Sequence, residues 1–251
     1  MTGPFGAELG PGANGSQRAA RAACRIHLVR HGKTEMNVEV RFRGRLDVPL
    51  NDEGRREAWL AGRNLRSAGI TAVYTSPLGR AREVAQAICA ATGVPWYEDL
   101  DRLVNLDYGD WHGLTKQEAA LLDPEGWRLY REAPELAACP GGEALADAAD
   151  RVVDALQAIG RRHPGESVAA VSHGVMLRLA VLRAGASSEA SWEIPLPTGS
   201  AIEFEVLDRK LRVVTLPTIE PALDLPPVGA ARLRAIPLED TEDPPAAAVG
   251  A

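Results

Sequence analysis

Three short apolar runs in this 251-residue chain each end in a polar cluster. RIHLVR runs into Arg30-His31-Gly32-Lys33-Thr34, with Asn37 close behind. AVYT closes on Thr75-Ser76-Pro77 and is followed by Arg80; SVAAV leads to Ser172-His173-Gly174. Brought together, these residues would supply two imidazoles, two guanidiniums, small hydroxyls and the backbone N–H groups of helix starts. Such a set is an anion pocket suited to phosphate, because guanidinium forks match phosphate oxygens in pairs and helix N-termini favour negative charge. It can also do chemistry. Phosphoryl transfer needs neutralised equatorial oxygens and a nucleophile in line with the leaving oxygen. A neutral imidazole is a competent nucleophile near pH 7, its unperturbed pKa being about 6.5. Its attack would give a phosphohistidine for water to cleave, while the second imidazole donates to the transferring oxygens. The cationic side chains do the Lewis-acid work, so neither a metal nor a cofactor is expected.

The elements between the clusters must bring them to one place. Arg25–Arg30 reads as a buried strand. Asn51 is the expected N-cap of the helix DEGRREAWLAGRNLRSAG, ending at Gly69. Ala72–Thr75 is the next strand, and Leu78–Thr92 an amphipathic helix closed by Gly93. Residues from about 99 to 139 read as irregular, with two short helical patterns. Gly142–His163 has helical spacing and ends at Pro164-Gly165. Ser167–Val171 is a strand, Val175–Ala184 a helix, and Ala201–Val206 with Leu211–Val214 a closing strand pair. Strands alternating with helices predict a three-layer α/β/α sandwich with a mostly parallel central sheet. Sites in such sheets lie at the carboxyl ends of the strands, where all three clusters fall.

The length fits one domain with tails: a disordered extension over 1–23, the domain over 24–219, and a Pro/Ala-rich acidic tail over 220–251. The acidic stretch Glu239–Asp243 reads as a solubilising end. A hydrophobic content of 45% suffices for a sizeable core. The net charge of −6 is spread without long runs, which gives no reason to expect nucleic acid or an anionic membrane as partner. Any anion must be captured by a local cluster, and a small phosphorylated metabolite is the expected partner. Cys24, Cys89 and Cys139 are odd in number and lack metal-ligand spacing, which suits inert thiols in a reducing cytoplasm. With no apolar run long enough for a bilayer and no signal-peptide pattern, a cytoplasmic location is the expectation.

Leu28-Val29-Arg30-His31-Gly32, followed by Thr34 and Asn37, resembles the defining motif of the histidine phosphatase superfamily, the phosphoglycerate-mutase-like proteins. Further matches are Arg43-Gly44-Arg45-Leu46-Asp47-Val48-Pro49-Leu50-Asn51, Thr75-Ser76-Pro77-Leu78 with Arg80-Ala81, Tyr108-Gly109-Asp110-Trp111 with Gly113-Leu114-Thr115, Pro140-Gly141-Gly142-Glu143, and Ser172-His173-Gly174. They stand in the family's order from Arg25 to Leu216, and the phosphatase-type branch of broad specificity is the nearest in pattern. The resemblance implies a phosphoglycerate-mutase-like fold and a metal-independent phosphomonoesterase. It implies His31 as nucleophile, with Arg30, Arg80 and His173 completing the phosphate pocket. Asn37 and the backbone near Gly44 and Gly174 would be auxiliary contacts. Arg43 and Arg45 either meet a second acidic group of the substrate or face solvent, and Arg43 and Asn105 stand with Asn37, Gly44 and Gly174 among the expected substrate-binding residues.

One position departs from the pattern. The family usually carries a carboxylic acid before the Tyr-Gly pair to protonate the leaving group, and Asn105 stands there. An amide can donate a hydrogen bond but not a proton. Either Asp107, Asp110 or Glu143 substitutes, or the substrate has a good leaving group, or the chain is catalytically weak by nature or by an introduced exchange. Two other functions therefore stand beside the phosphatase: a cofactor-dependent phosphoglycerate mutase and a non-catalytic phospho-ligand binder. The mutase branch usually has a longer, more basic insertion than 107–142, which offers Lys116, Arg128 and Arg131. Elsewhere, His27 reads as a structural histidine and His163 as a partner for its helix's C-terminal dipole. His112 is a rim residue, either solvated or touching substrate. Trp111, Trp127 and Tyr130 are either core or lid.

Overall fold

The computed structural model describes residues 22–217. The expected N-terminal extension up to residue 21 and the acidic tail lie outside the described residues.

Strand β1 (Cys24–Arg30) is flanked on both edges, by β4 (Ser167–Ser172) in parallel and by β5 (Ala201–Leu207) antiparallel. β4 in turn pairs in parallel with β2 (Ile70–Thr75), and β2 with the edge strand β3 (Trp96–Asp99). β6 (Lys210–Thr215) closes the other edge against β5 through a turn at Asp208 and Arg209, both at positive φ. The order is β3-β2-β4-β1-β5-β6, with β1 to β4 mutually parallel. β1, β2 and β4 are apolar almost throughout because both faces of the sheet are covered. Alternate residues face opposite cores. Val29, Val73, Ala169 and Val171 pack on α2 (Asp52–Leu65) and α3 (Gly79–Thr92). Ile26, Leu28, Tyr74 and Phe204 pack on α6 (Leu145–Arg162) and α7 (Gly174–Arg183). The fold is thus the expected sandwich with a mostly parallel sheet. Among the described residues no helix is long and apolar enough to cross a membrane.

Several boundaries differ from those read in the sequence. Asn51 does cap α2, its side chain accepting from the Gly54 N–H at 2.9 Å, but the helix stops at Leu65 and turns occupy the stretch to Gly69. α6 begins at Leu145, not Gly142, because the preceding residues form a bridge between Ala138 and Ala144. β3, the short α1 (Glu35–Val38) and α8 (Ser188–Glu193) were not anticipated. The two helical patterns in the irregular region are α4 (Lys116–Leu122), capped by Thr115, and α5 (Pro124–Glu132), capped by Asp123.

The aromatic residues of that region make a core, not a lid. Trp111 and Tyr130 are fully buried, and Trp127 is packed against them. Tyr130 stacks between Trp127 and Trp192 at 5.6 and 5.2 Å, and Phe42 meets Tyr108 at 4.5 Å. His163 also departs from expectation. Its ring lies between the Tyr74 hydroxyl at 2.8 Å and Glu166 at 2.9 Å, so it bridges β2 to the turn before β4 instead of facing the carbonyls of α6. His27 is a satisfied structural residue, 3.1 Å from the Ser167 hydroxyl. All three cysteines are free, and burial pushes the thiols of Cys24 and Cys139 up to about 11 and about 12, which keeps them unreactive.

Trp111→Ala should therefore cost about 3–5 kcal/mol of stability, the usual cost of emptying a packed aromatic site. Trp59→Ala, at a half-exposed site on α2, should stay within about 0.5 kcal/mol. Urea denaturation of the two variants checks the contrast.

Candidate active site

The parallel pairing of β2, β4 and β1 sets Thr75, Ser172 and Arg30 at one edge of the sheet: Arg30 is level with Ser172, and Thr75 with Val171. The chain keeps this pairing one residue beyond the strands. The His31 N–H donates to the Ser172 carbonyl at 3.0 Å, and the Ser76 N–H to the Val171 carbonyl at 2.9 Å. All three polar clusters therefore open into one place. Arg30, His31, Arg80 and His173 are each fully buried there.

Backbone carbonyls aim the guanidiniums. Arg30 donates to the Leu196 carbonyl at 2.5 Å. Arg80 donates to those of Leu46 at 2.6 Å and Gly44 at 2.7 Å. The imidazoles lie 5.1 Å apart, centroid to centroid. His31 Nδ1 is 2.7 Å from the Gly32 carbonyl, which can only accept, so Nδ1 carries the proton and Nε2 the lone pair. His173 stands between Ser76 at 2.8 Å (Nε2) and an Arg80 nitrogen at 3.4 Å (Nδ1). Both imidazoles are held well below their usual pKa. Burial is the main cause, and the neighbouring guanidiniums add to it, Arg43 and Arg80 foremost. His31 is neutral at pH 7 in the free protein, as a nucleophile must be.

Arg43 belongs inside this pocket. It is 2% exposed and its guanidinium lies 3.4 Å from His31 Nε2. Arg45, two residues on, turns away to Asp107 and Glu143 at 3.3 and 3.2 Å. Gly44 lies between them at φ +45°, and a Cβ on it would fall 2.1 Å from His112 Nε2, so only glycine fits. His112 is fixed by the Gly109 carbonyl at 2.8 Å and accepts from the Arg45 N–H at 3.3 Å. It braces the rim loop, which neither sequence reading of it anticipated. Asn37 is buried, but its carbonyl oxygen accepts from the Thr34 N–H and hydroxyl at 3.0 Å each, so only its amide nitrogen can serve an anion. Gly174 opens α7, and a Cβ on it would sit 3.2 Å from Arg30 Nε, so the helix start lies against that guanidinium. Ser76, which carries His173, is a site contact that the strand-end pattern had already marked.

Asn105 is fully buried. Its amide donates to the Gly44 carbonyl at 3.2 Å, the carbonyl that also holds Arg80, and its oxygen accepts from the Leu106 N–H at 3.0 Å. Two of the three carboxylates that could replace the acid are engaged elsewhere. Both Glu143 oxygens accept from Arg151 at 2.9 Å, and one also from Arg45. Asp107 accepts from the Gly109 N–H at 3.1 Å and pairs with Arg45. Asp110 is exposed. Asp107 and Glu143 thus brace the rim through Arg45 and Arg151.

The arrangement has the charge and the open lone pair to take up a tetrahedral dianion. Residues 26–218 match the model of the histidine phosphatase superfamily, branch 1. Phosphoglycerate mutase-like protein 4 of Arabidopsis thaliana is 39% identical over 170 residues, covering 65% of this chain and 72% of that protein. Phosphoserine phosphatase 1 of Hydrogenobacter thermophilus is 33% identical over 154 residues, covering 61% and 72%. Among solved structures, YhfR of Bacillus stearothermophilus superposes with a TM-score of 0.69 at 34% identity, covering 76% of this chain and 95% of that one. A mycobacterial glucosyl-3-phosphoglycerate phosphatase, solved with VO3, gives 0.68 at 26% identity, covering 78% and 98%. With its motif residues gathered at one sheet edge and the family model matched across the described domain, this chain belongs to the histidine phosphatase superfamily.

Proposed function

We propose that this protein is a metal-independent phosphomonoesterase that hydrolyses a small phosphorylated metabolite through a phosphohistidine on His31. The carrying observation is the neutral imidazole of His31, its Nε2 lone pair set among the buried guanidiniums of Arg30, Arg43 and Arg80. Nε2 attacks phosphorus, the bond to the leaving oxygen breaks, and the guanidiniums hold the equatorial oxygens. A bound dianion also favours the protonated form of His173, turning its Nδ1 from acceptor to donor. Water then attacks the phosphohistidine, releasing phosphate and restoring the imidazole. The free thiols fit a reducing, cytoplasmic compartment.

Asn105 bears on the substrate. The amide occupies the acid position without a proton to give, so the leaving group departs as an anion or is protonated by water. A carboxyl placed there could keep the hydrogen bond to the Gly44 carbonyl only in its protonated form, and would thereby install a proton donor. A second reading, phosphoglycerate mutase, is favoured by relatives that carry that name. Against it, Arg128 of the 107–142 segment is spent on Glu125 and Glu132 of its own helix and not offered to a bisphosphate. 3-Phosphoglycerate with a bisphosphate primer separates the two: isomerisation outpacing phosphate release would establish the mutase. No turnover of any phosphate ester, with retained phosphate binding, would establish the binder.

Rapid quench of the wild type with p-nitrophenyl phosphate should trap an acid-labile, base-stable phosphoenzyme that His31→Ala lacks, together with all turnover. EDTA should leave activity intact and vanadate should inhibit; activity lost to EDTA and restored by Mg²⁺ or Zn²⁺ would overturn the mechanism. Arg80→Lys should slow turnover on the order of a hundredfold, because an ammonium cannot hold the Leu46 and Gly44 carbonyls and a phosphate oxygen together. The wild type should prefer aryl over alkyl phosphates. Asn105→Asp or Asn105→Glu should raise alkyl turnover, within the general-acid range of about 10²–10⁴-fold, and leave aryl turnover nearly unchanged. Fast native alkyl turnover, lost in Asp107→Asn or Glu143→Gln, would place the acid elsewhere.

A further inference from the structure

Glu57 lies on α2, outside the pocket, and is 5% exposed. Its Oε2 accepts from the Lys33 backbone N–H at 2.7 Å, and its Oε1 from the Thr198 hydroxyl at 2.8 Å. Lys33 is two residues beyond His31. Thr198 belongs to the segment that holds Arg30: the Leu196 carbonyl anchors the guanidinium, and the Gly199 N–H reaches the carbonyls of Arg30 and His31 at 3.1 and 3.2 Å. α2 comes this close because Gly54 has no side chain; a Cβ there would lie 2.0 Å from the Lys33 carbonyl oxygen. The charged groups that face the carboxyl are Lys33, from the loop after β1, and Glu53, from its own helix; the segment before β5 presents the uncharged Thr198.

We propose that Glu57 is a positioning residue for the reaction, tying the loop that carries His31 to the segment that anchors Arg30, so that nucleophile and phosphate clamp keep their relative placement. This inference rests on the reading of His31 as nucleophile. Sheet pairing holds the backbone at Arg30 and His31, but Lys33 and Thr198 both lie in loops beyond the sheet, and Glu57 joins those loops. Burial pushes the Glu57 carboxyl up to about 7, against the lowering effect of its two hydrogen bonds. The neutral and ionised forms are therefore both accessible near pH 7, and a neutral isostere should serve. Glutamine can accept from the Lys33 N–H through its oxygen and donate to the Thr198 hydroxyl, which rotates to accept. Leucine can do neither.

The test uses the full chain with E57Q, E57L, T198V and the double variant E57L/T198V. It reads kcat and KM for p-nitrophenyl phosphate, and the vanadate dissociation constant by calorimetry. E57L should lower kcat on the order of a hundredfold, the usual result of misplacing a reacting group by about 1 Å, with KM little changed. E57Q should restore a rate near wild type. T198V should lower kcat in the same direction, and the double variant should be no worse than E57L, because both substitutions break one link. Wild-type kcat in E57L or T198V, E57Q as impaired as E57L, or independent additive losses would each overturn the proposal. If E57L does not fold, T198V against E57Q decides it alone. If the wild type shows no turnover, the phosphatase reading fails. Vanadate affinity then decides for Glu57: it should be weakened in E57L and T198V and kept in E57Q, and equal affinity in all variants would refute the link.

Discussion

Burying three guanidiniums beside two imidazoles is costly while no anion is bound, and much of the surrounding chain is arranged around that cost. Like charges in a desolvated space repel strongly, and each lost hydration shell must be replaced by fixed dipoles. Backbone carbonyls at Leu196, Leu46 and Gly44 do this for Arg30 and Arg80, offsetting positive charge without a carboxylate that would repel an anion. The same carbonyls aim the forks, so the groups that moderate the charge also set the geometry of the clamp. The imidazoles answer the positive field by staying neutral. In His31 that state leaves a lone pair at Nε2; in His173 it leaves an acceptor at Nδ1, facing Arg80.

The carboxylates follow the complementary rule. Asp107 and Glu143 stand at the rim with Arg45 and Arg151, where opposite charges join the loop before α6 to the loop carrying Asn105. Segregating the acids to the rim keeps negative charge away from the buried guanidiniums, and ties down the irregular region from the outside while an aromatic core of Phe42, Tyr108, Trp111 and Tyr130 holds it from within. Asn105 lies where the two arrangements meet. Its amide adds a second donor to the carbonyl that anchors Arg80, so a neutral side chain there supports the placement of that guanidinium.

The sequence by itself determined a good deal. Apolar strands buried on both faces, alternating with capped helices, require a parallel sheet, and a parallel sheet puts the ends of β1, β2 and β4 on one edge whatever the details of the loops. That was enough to gather His31, Arg30, Arg80 and His173. Elements that borrow their stability from neighbours were not legible. β3 is four residues long and exists because the exposed edge of β2 pairs with it, and α8 is a short helix whose carbonyls at Ser191 and Trp192 are held by Arg178, buried on α7. Nor could periodicity tell a lid tryptophan from a core one, since Trp111 is buried by partners such as Trp127 and Tyr130 that share no element with it.

Arg43-Gly44-Arg45 shows where the division falls. Two arginines, identical in type and separated by one residue, could each meet the substrate or solvent, and local sequence gives no physical reason to part them. The tertiary structure sends Arg43 to His31 and Arg45 to the rim. What decides it is the left-handed turn at Gly44, the His112 ring packed where a Cβ would be, and carboxylates on residues 107 and 143 that only the folded chain brings within reach of Arg45. Local sequence determines which groups could bind an anion; contacts between residues far apart in the chain decide which of them share the buried pocket.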